Sequence, residues 1–221
     1  MTMVTTHDFG AMREAMVASQ LRTSDVTDPA IVTAMATVER HRFVPADRAA
    51  LAYTDRPVPL SAGRALNPPL ATGRLLAAAE LMPSDTVLLI GAATGYSAAV
   101  LARIVARVVA VESNATLIEF ARQNLFGIAN VELVEGPLDA GWTKDAPFSR
   151  ILIDGAVEGV GAKLAQQVAP DGRVLTGIAD RGVTRICRGV PSGNSVALVP
   201  IADTEMVVLP GFAKPKNFVF A

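Results

Sequence analysis

The sequence predicts an α/β protein: a mostly parallel, seven-stranded sheet covered by helices, with an antiparallel hairpin at the C-terminal end and a helical segment in front. Three observations carry this. Between Ala71 and Ile178, short and nearly continuous apolar runs alternate with helical stretches, the pattern of strands buried on both faces of a parallel sheet. Between Val183 and Ile201, two further runs flank Pro191-Ser192-Gly193-Asn194, which has the chemistry of a hairpin turn. Before residue 45, apolar residues return at helical spacing.

Each element has its own reason. Residues 8–45 read as helical, with Ala11, Met12, Met16, Val17 and Leu21 on one side. Asp28-Pro29 starts a helix, Pro29–Glu39, because the aspartate accepts from free N–H groups and proline lacks a donor where none is needed. Prolines 57, 59, 68 and 69 and Gly63 exclude a regular central strand or helix from the next stretch. Long irregular segments in compact domains are often functional loops. A helix over 71–82 leads to the strand Thr86–Ile90, the loop Gly91–Gly95 and a helix to about Ala106. Then follow a strand (108–112), a helix Asn114–Leu125 capped by Ser113 or Asn114, and strands at 131–135 and 150–154. A helix over 159–168, a turn at Pro170-Asp171-Gly172 and a strand over 173–178 complete the alternation. Residues 1–70 are expected to form N-terminal helices and a substrate-side loop, packed on a core of 71–221 within one structural domain.

Composition narrows the class. Of 221 residues, 51% are hydrophobic and 19% charged, enough for a sizeable core. A net charge of −1 leaves no electrostatic footprint for nucleic acid or an anionic membrane. The single cysteine excludes an intrachain disulfide and fits a reducing compartment, and with two histidines a histidine-rich metal site is not expected. Asp8, Arg13 and Glu14 interrupt the N-terminal apolar residues, so neither a signal peptide nor a membrane span is expected, and a cytoplasmic location is.

The chemistry-bearing stretch is Val87–Ala99, where a strand ends in glycine and a helix begins. In open α/β sheets, ligands bind beyond the carboxyl ends of the strands. Gly91 and Gly95 allow a tight turn and close approach of a ligand, with Ala92, Ala93, Thr94 and Tyr96 completing the cradle. Glu112, ending the second strand before Ser113, is the acid expected to accept the hydroxyls of a ribose. The alternative is a strand–helix turn whose glycines serve packing, with Glu112 capping the next helix by its charge.

An α/β core that ends in a hairpin is the architecture of S-adenosylmethionine-dependent methyltransferases. The segment 16–45, "MVASQLRTSDVTDPAIVTAMATVERHRFVP", resembles the opening helices of the protein-L-isoaspartate O-methyltransferase family. "LAYTDRPVPLSAG" (51–63), "AGW" with "APFSRILIDGA" (140–156) and "QQVAPDGRVL" (166–175) resemble its later segments, so the likeness spans residues 12–203. The resemblance implies a Rossmann-like class I methyltransferase fold and carboxyl O-methylation of isoaspartyl residues in damaged proteins. The donor would be S-adenosylmethionine and the product S-adenosylhomocysteine; the partners would be isoaspartyl peptides or proteins, with neither nucleic acid nor membrane. It places Asn67 at the family's serine, orienting the acceptor carboxylate, with Gly91–Gly95 around the methionine moiety and Glu112 on the ribose. Gly136 opens the family's Gly-Asp-Gly, where the acid accepts from the adenine amino group.

Departures accompany it. Ala65 and Asn67 stand where the family carries hydroxyls, Leu89 replaces an acid, Ala93 the loop's central glycine, and Pro137 the adenine acid, with Asp139 shifted from that position. Asp154, ending the fourth strand, is placed to hold the donor's amino group or a substrate, or equally to cap the next helix. His41 and Cys187 are expected in structural roles, and Trp142 at the sheet edge. The tail from Leu209, with Phe212, Phe218 and Phe220, is expected to dock on its own domain or a second subunit. Besides the isoaspartyl enzyme, two readings stay open: a methyltransferase with another acceptor, and a non-catalytic binding or regulatory protein.

Overall fold

A computed structural model describes residues 7–61 and 63–213. The chain enters as α1 (Phe9–Met16), capped by the Asp8 carboxylate on the Ala11 N–H, and continues through a π turn to Leu21 and a 3-10 turn to Ser24. Helix α2 (Pro29–Thr37) starts as its sequence predicts, with the Asp28 carboxylate accepting from Ala30 and Ile31. It ends at Thr37 rather than Glu39 because Val38 is already extended. The helical reading to residue 45 is thereby corrected: 3-10 turns Arg40–Phe43 and Ala46–Leu51 replace a regular helix. In the proline-rich stretch, β1 (Val58–Pro59) and β2 (Ala65–Leu66) pair antiparallel, and α3 (Pro69–Ala78) follows.

The main sheet contains β3 (Thr86–Ile90), β4 (Arg107–Glu112), β5 (Val131–Glu135), β6 (Phe148–Val157), β7 (Val168–Asp180), β8 (Val183–Ser192) and β9 (Ser195–Asp203). Its order is β5-β4-β3-β6-β7-β8-β9; the first five strands are parallel and the β7-β8-β9 meander is antiparallel. Helices α4 (Tyr96–Leu101), α5 (Ala115–Asn124) and α6 (Ala162–Ala165) connect the parallel strands. The strand order reverses between β3 and β6, which is where such a sheet opens a crevice for a ligand.

Period-two alternation divides the core. Val87, Leu89, Val108, Ala110 and Leu152 face one way and share a cluster with Met16, Leu21, Ile31, Met35 and Leu75 of the N-terminal helices. Leu88, Ile90, Val109, Val111, Ile151 and Ile153 face the other way, with Leu138, Leu209 and Phe212. Each such aliphatic side chain contributes about 1.5–3 kcal/mol on full burial. Leu89 is therefore a core residue of the N-terminal side, 1% exposed.

Two irregularities of β6 and β7 matter. Phe148 pairs with Val168 and Arg150 with Arg173, so Ala169–Gly172 loop out against Ser149 alone. The turn chemistry of Pro170-Asp171-Gly172 is used for this bulge rather than to start the strand, and the expected helix over 159–168 shrinks to Ala162–Ala165. Further on, Leu152 pairs with Leu175 and Ala156 with Gly177, which releases Ile153-Asp154-Gly155 from the β7 ladder. Bulges of this kind re-aim a side chain beside a site. Among the described residues, no helix is long and apolar enough to cross a membrane.

Candidate cofactor and substrate site

The expected site residues converge at the carboxyl ends of β3, β4 and β6. Gly91 (φ 81°) and Gly95 (φ 96°) adopt the left-handed backbone that favours glycine, so the loop does turn on them. Ala93 adopts it too, at φ 50°. The Gly91 and Ala92 N–H groups donate to the Val111 carbonyl, at 2.9 and 3.0 Å, tying the loop to β4. Thr94 donates its hydroxyl to the Phe43 carbonyl at 2.6 Å, and Tyr96 is fully buried, edge-on to Phe43. Both anchor the loop to the N-terminal segment through Phe43.

Glu112 is completely buried. One carboxylate oxygen accepts from the Ala93 N–H at 2.8 Å; the other accepts from the Ser113 and Asn114 N–H groups and from the Arg64 guanidinium, at 2.8 Å. It is the structural hub of the loop, and helix α5 is capped by Asn114 instead, through Leu117 N–H. Gly136 donates its N–H to the Glu112 carbonyl at 3.0 Å, placing Pro137 just past the strand ends. Asp139 pairs with Lys163 at 3.1 Å, and takes no part in the site.

Asp154, aimed by its bulge, accepts from the Ser97 hydroxyl at 2.5 Å and from the Asn67 amide at 2.8 Å. Burial pushes its pKa up; the Ser97 and Asn67 hydrogen bonds and the Arg40 and Arg64 charges pull it back. Asn67 is held at both ends, because its Oδ1 accepts from the Val207 N–H at 2.9 Å. Beneath it, Arg40 is wholly buried, donating to the Ala52 and Asn67 carbonyls with its guanidinium 4.5 Å over the Tyr96 ring. Two buried cations thus face two buried carboxylates.

Sequence reasoning missed Arg40, Arg64, Ser97 and Leu209. Arg40 stood in a quoted motif beside His41, which proves structural: its Nδ1 lies 2.9 Å from the Tyr53 hydroxyl and its ring stacks on Phe9. Arg64 carried no local signal, since its partner is 48 residues away. Leu209 lies in the tail expected to dock, and it docks on its own domain together with Phe212; Phe218 and Phe220 lie outside the described residues.

The fit to S-adenosylmethionine is divided. The residue types suit it, a glycine-bent loop beside a carboxylate, but the space does not. Arg64 holds Glu112, and Leu209 lies so close that a Cβ added at Gly91 would meet its Cδ1 at 2.8 Å. A cavity of about 630 Å³ opens beside Pro137, Trp142 and Gln167, and another of about 650 Å³ beside Arg181 and Met206; neither is lined by Gly91–Tyr96 or Glu112. In this arrangement Arg64 occupies the Glu112 carboxylate and Leu209 crowds the Gly91 end of the loop.

A family model described as Protein-L-isoaspartate(D-aspartate) O-methyltransferase (PCMT) matches residues 12–205. A Methylorubrum populi protein named Protein-L-isoaspartate O-methyltransferase is 39% identical over 180 residues, covering 80% of this chain and 84% of its own length. The Methanoculleus marisnigri protein of the same name is 31% identical over 201 residues, covering 90% and 91%. Among solved structures, one named protein-L-isoaspartate O-methyltransferase matches with TM-score 0.77 at 23% identity, over 90% of this chain and 66% of that one. Another, from Plasmodium falciparum and in complex with S-adenosyl-L-homocysteine, matches with TM-score 0.73 at 16% identity, over 92% and 99%. These two structural likenesses establish the fold: the Rossmann-like class I methyltransferase architecture.

Proposed function

Because the chain belongs to the protein-L-isoaspartate(D-aspartate) O-methyltransferase family, matched over residues 12–205, we propose that it is a carboxyl O-methyltransferase acting on L-isoaspartyl sites of damaged proteins. The family is one of S-adenosylmethionine-dependent methyltransferases. The observation that carries the proposal is the convergence of the Gly91–Gly95 loop, Glu112 and the Asn67–Asp154 pair at the strand ends around the switch point. A carboxylate is already a nucleophile, so the protein's task is to align the reactants and exclude water rather than to move protons. Asn67 would orient the acceptor, with Asp154 and Ser97 setting the direction of its amide.

We also place the protein in the cytoplasm, apart from nucleic acid and membranes, on its single buried Cys187 and net charge of −1. The test of the activity is transfer of a base-labile methyl group from S-adenosylmethionine to an isoaspartyl peptide by the purified full chain. Absence of transfer, where a competent relative succeeds, refutes it. A second reading, a non-catalytic member, is favoured by one observation: Arg64 already holds the Glu112 carboxylate and Leu209 crowds Gly91.

A further inference from the structure

We infer that the chain carries its own plug for the cofactor site, made of Arg64 and Leu209, and that the cofactor enters only when this plug withdraws. The inference rests on the methyltransferase reading above. Its ground is the position of Leu209 at the switch point of the sheet. A Cβ on Gly91, beyond β3, would come within 2.8 Å of Leu209 Cδ1, and one on Gly155, in β6, within 2.6 Å of its Cγ. One side chain therefore fills the gap between the two strand ends where the crevice should open.

The main chain pins it there. The Ala156 N–H donates to the Val207 carbonyl at 2.7 Å, the Leu209 N–H to the Ala156 carbonyl at 2.9 Å, and Val207 to Asn67 at 2.9 Å. The segment lies alongside β6, and Phe212 is buried with Leu138 and Leu209. Arg64 is the second half of the plug. It reaches from the β1–β2 hairpin to Glu112, and its guanidinium lies 3.5 Å from the position of a Cβ on Gly91. A ribose on Glu112 would have to displace it.

Two features make the plug removable. The Arg64 Nε is buried without a hydrogen-bond partner, so its seat leaves a polar group unsatisfied that water would satisfy. Glu112 in turn keeps the Ala93, Ser113 and Asn114 N–H groups when the guanidinium leaves, and is not stranded. A site open only part of the time binds its ligand more weakly by the open fraction, so loosening the plug must tighten binding.

The experiment is calorimetric titration of the full chain with S-adenosylhomocysteine, in the wild type, Arg64→Ala, Leu209→Ala and the double variant. Amide hydrogen exchange of the wild type is followed with and without the ligand. We expect the double variant to bind at least about tenfold more tightly than the wild type, and saturation of the wild type to speed exchange at Val207 and Leu209. Equal affinity in all four proteins, with those amides still protected at saturation, overturns the plug and leaves the methyltransferase reading standing. No binding by any of them, each shown folded by a cooperative melting transition, overturns the methyltransferase reading and the plug with it. Should Leu209→Ala fail to fold, Arg64→Ala and the wild-type exchange decide.

Discussion

The Asn67 amide donates to the Asp154 carboxylate at 2.8 Å while its carbonyl oxygen accepts from the Val207 N–H at 2.9 Å, so one side chain joins three distant segments. The loop before α3, the bulged end of β6 and the segment after β9 meet on it. Asn67→Ala strands a main-chain donor and removes one donor from a buried carboxylate. An unsatisfied buried group costs about 1–3 kcal/mol, and the variant is expected to lose stability in that range. Asn67→Ser, too short to span both partners, should lose less and still free Val207. Urea unfolding of both variants, with exchange at Val207, checks this; an undisturbed Val207 in the alanine variant would contradict it.

Asp154 supplies a pH dependence with a defined sign. Burial raises its folded pKa above the unfolded value, against the Ser97 and Asn67 hydrogen bonds and the Arg40 and Arg64 charges facing it. The folded state therefore binds the proton more tightly, and the contribution is full below the unfolded pKa of about 3.9. It is lost as pH rises through the folded value, each unit of elevation being worth about 1.4 kcal/mol. Asp154→Asn should flatten this part of the profile and stabilise the protein at neutral pH, because Ser97 can reverse its hydroxyl to accept. Chemical unfolding from pH 4 to 8 decides it, and a variant less stable at pH 7 than the wild type would reverse the sign.

These two residues also show what the sequence could reveal. Strands β3 and β5 were legible residue for residue: β3 is an almost wholly apolar run stopped by Gly91, and β5 is a short run rich in valine and leucine stopped by Gly136. The cap of α5 was legible to within one residue, as Ser113 or Asn114, since capping is a contact within one turn, and the structure selects Asn114. The expected residues Gly91, Glu112, Asn67 and Asp154 do meet at one place. What they do there was not legible: Arg64 reaches Glu112 across 48 residues and Val207 reaches Asn67 across 140, separations at which no periodicity carries information. The bulges failed for a related reason. Turn residues inside β7 look the same whether they end a strand or loop out of a ladder, and only the pairing with β6 distinguishes the two.

Ala93 carries a conformational cost that the sequence hinted at and the backbone locates. At φ 50° a β-carbon is disfavoured by about 1–2 kcal/mol, whereas glycine there costs about 0.5–1 kcal/mol of extra chain entropy. Ala93→Gly should therefore be neutral or stabilising by up to about 1.5 kcal/mol, the reverse of the ordinary effect. Ala98→Gly in α4, at normal helical backbone, should instead lose about 1 kcal/mol or more. Thermal melting of the pair tests the contrast; equal losses in both would mean that the loop relaxes around Ala93 at no gain.

Pro137 offers a test of the cofactor's other end. The Gly136 N–H is bound to the Glu112 carbonyl at 3.0 Å, so residue 137 begins just outside the ends of β4 and β5, where the family resemblance places the acid that accepts from adenine. Proline has no carboxylate and no N–H to offer there. Its own carbonyl accepts from the Ala140 N–H at 3.1 Å, a bond that any residue can keep. Pro137→Asp should thus leave the fold in place and add one charge-assisted hydrogen bond, worth about 1.5–3 kcal/mol, or roughly a tenfold to hundredfold gain in affinity for S-adenosylhomocysteine. The gain should be similar in the wild type and on the Arg64→Ala/Leu209→Ala background, since distant sites add. Pro137→Ala is the control, removing the ring without adding the acid. If aspartate and alanine bind alike by calorimetry, the adenine does not reach residue 137.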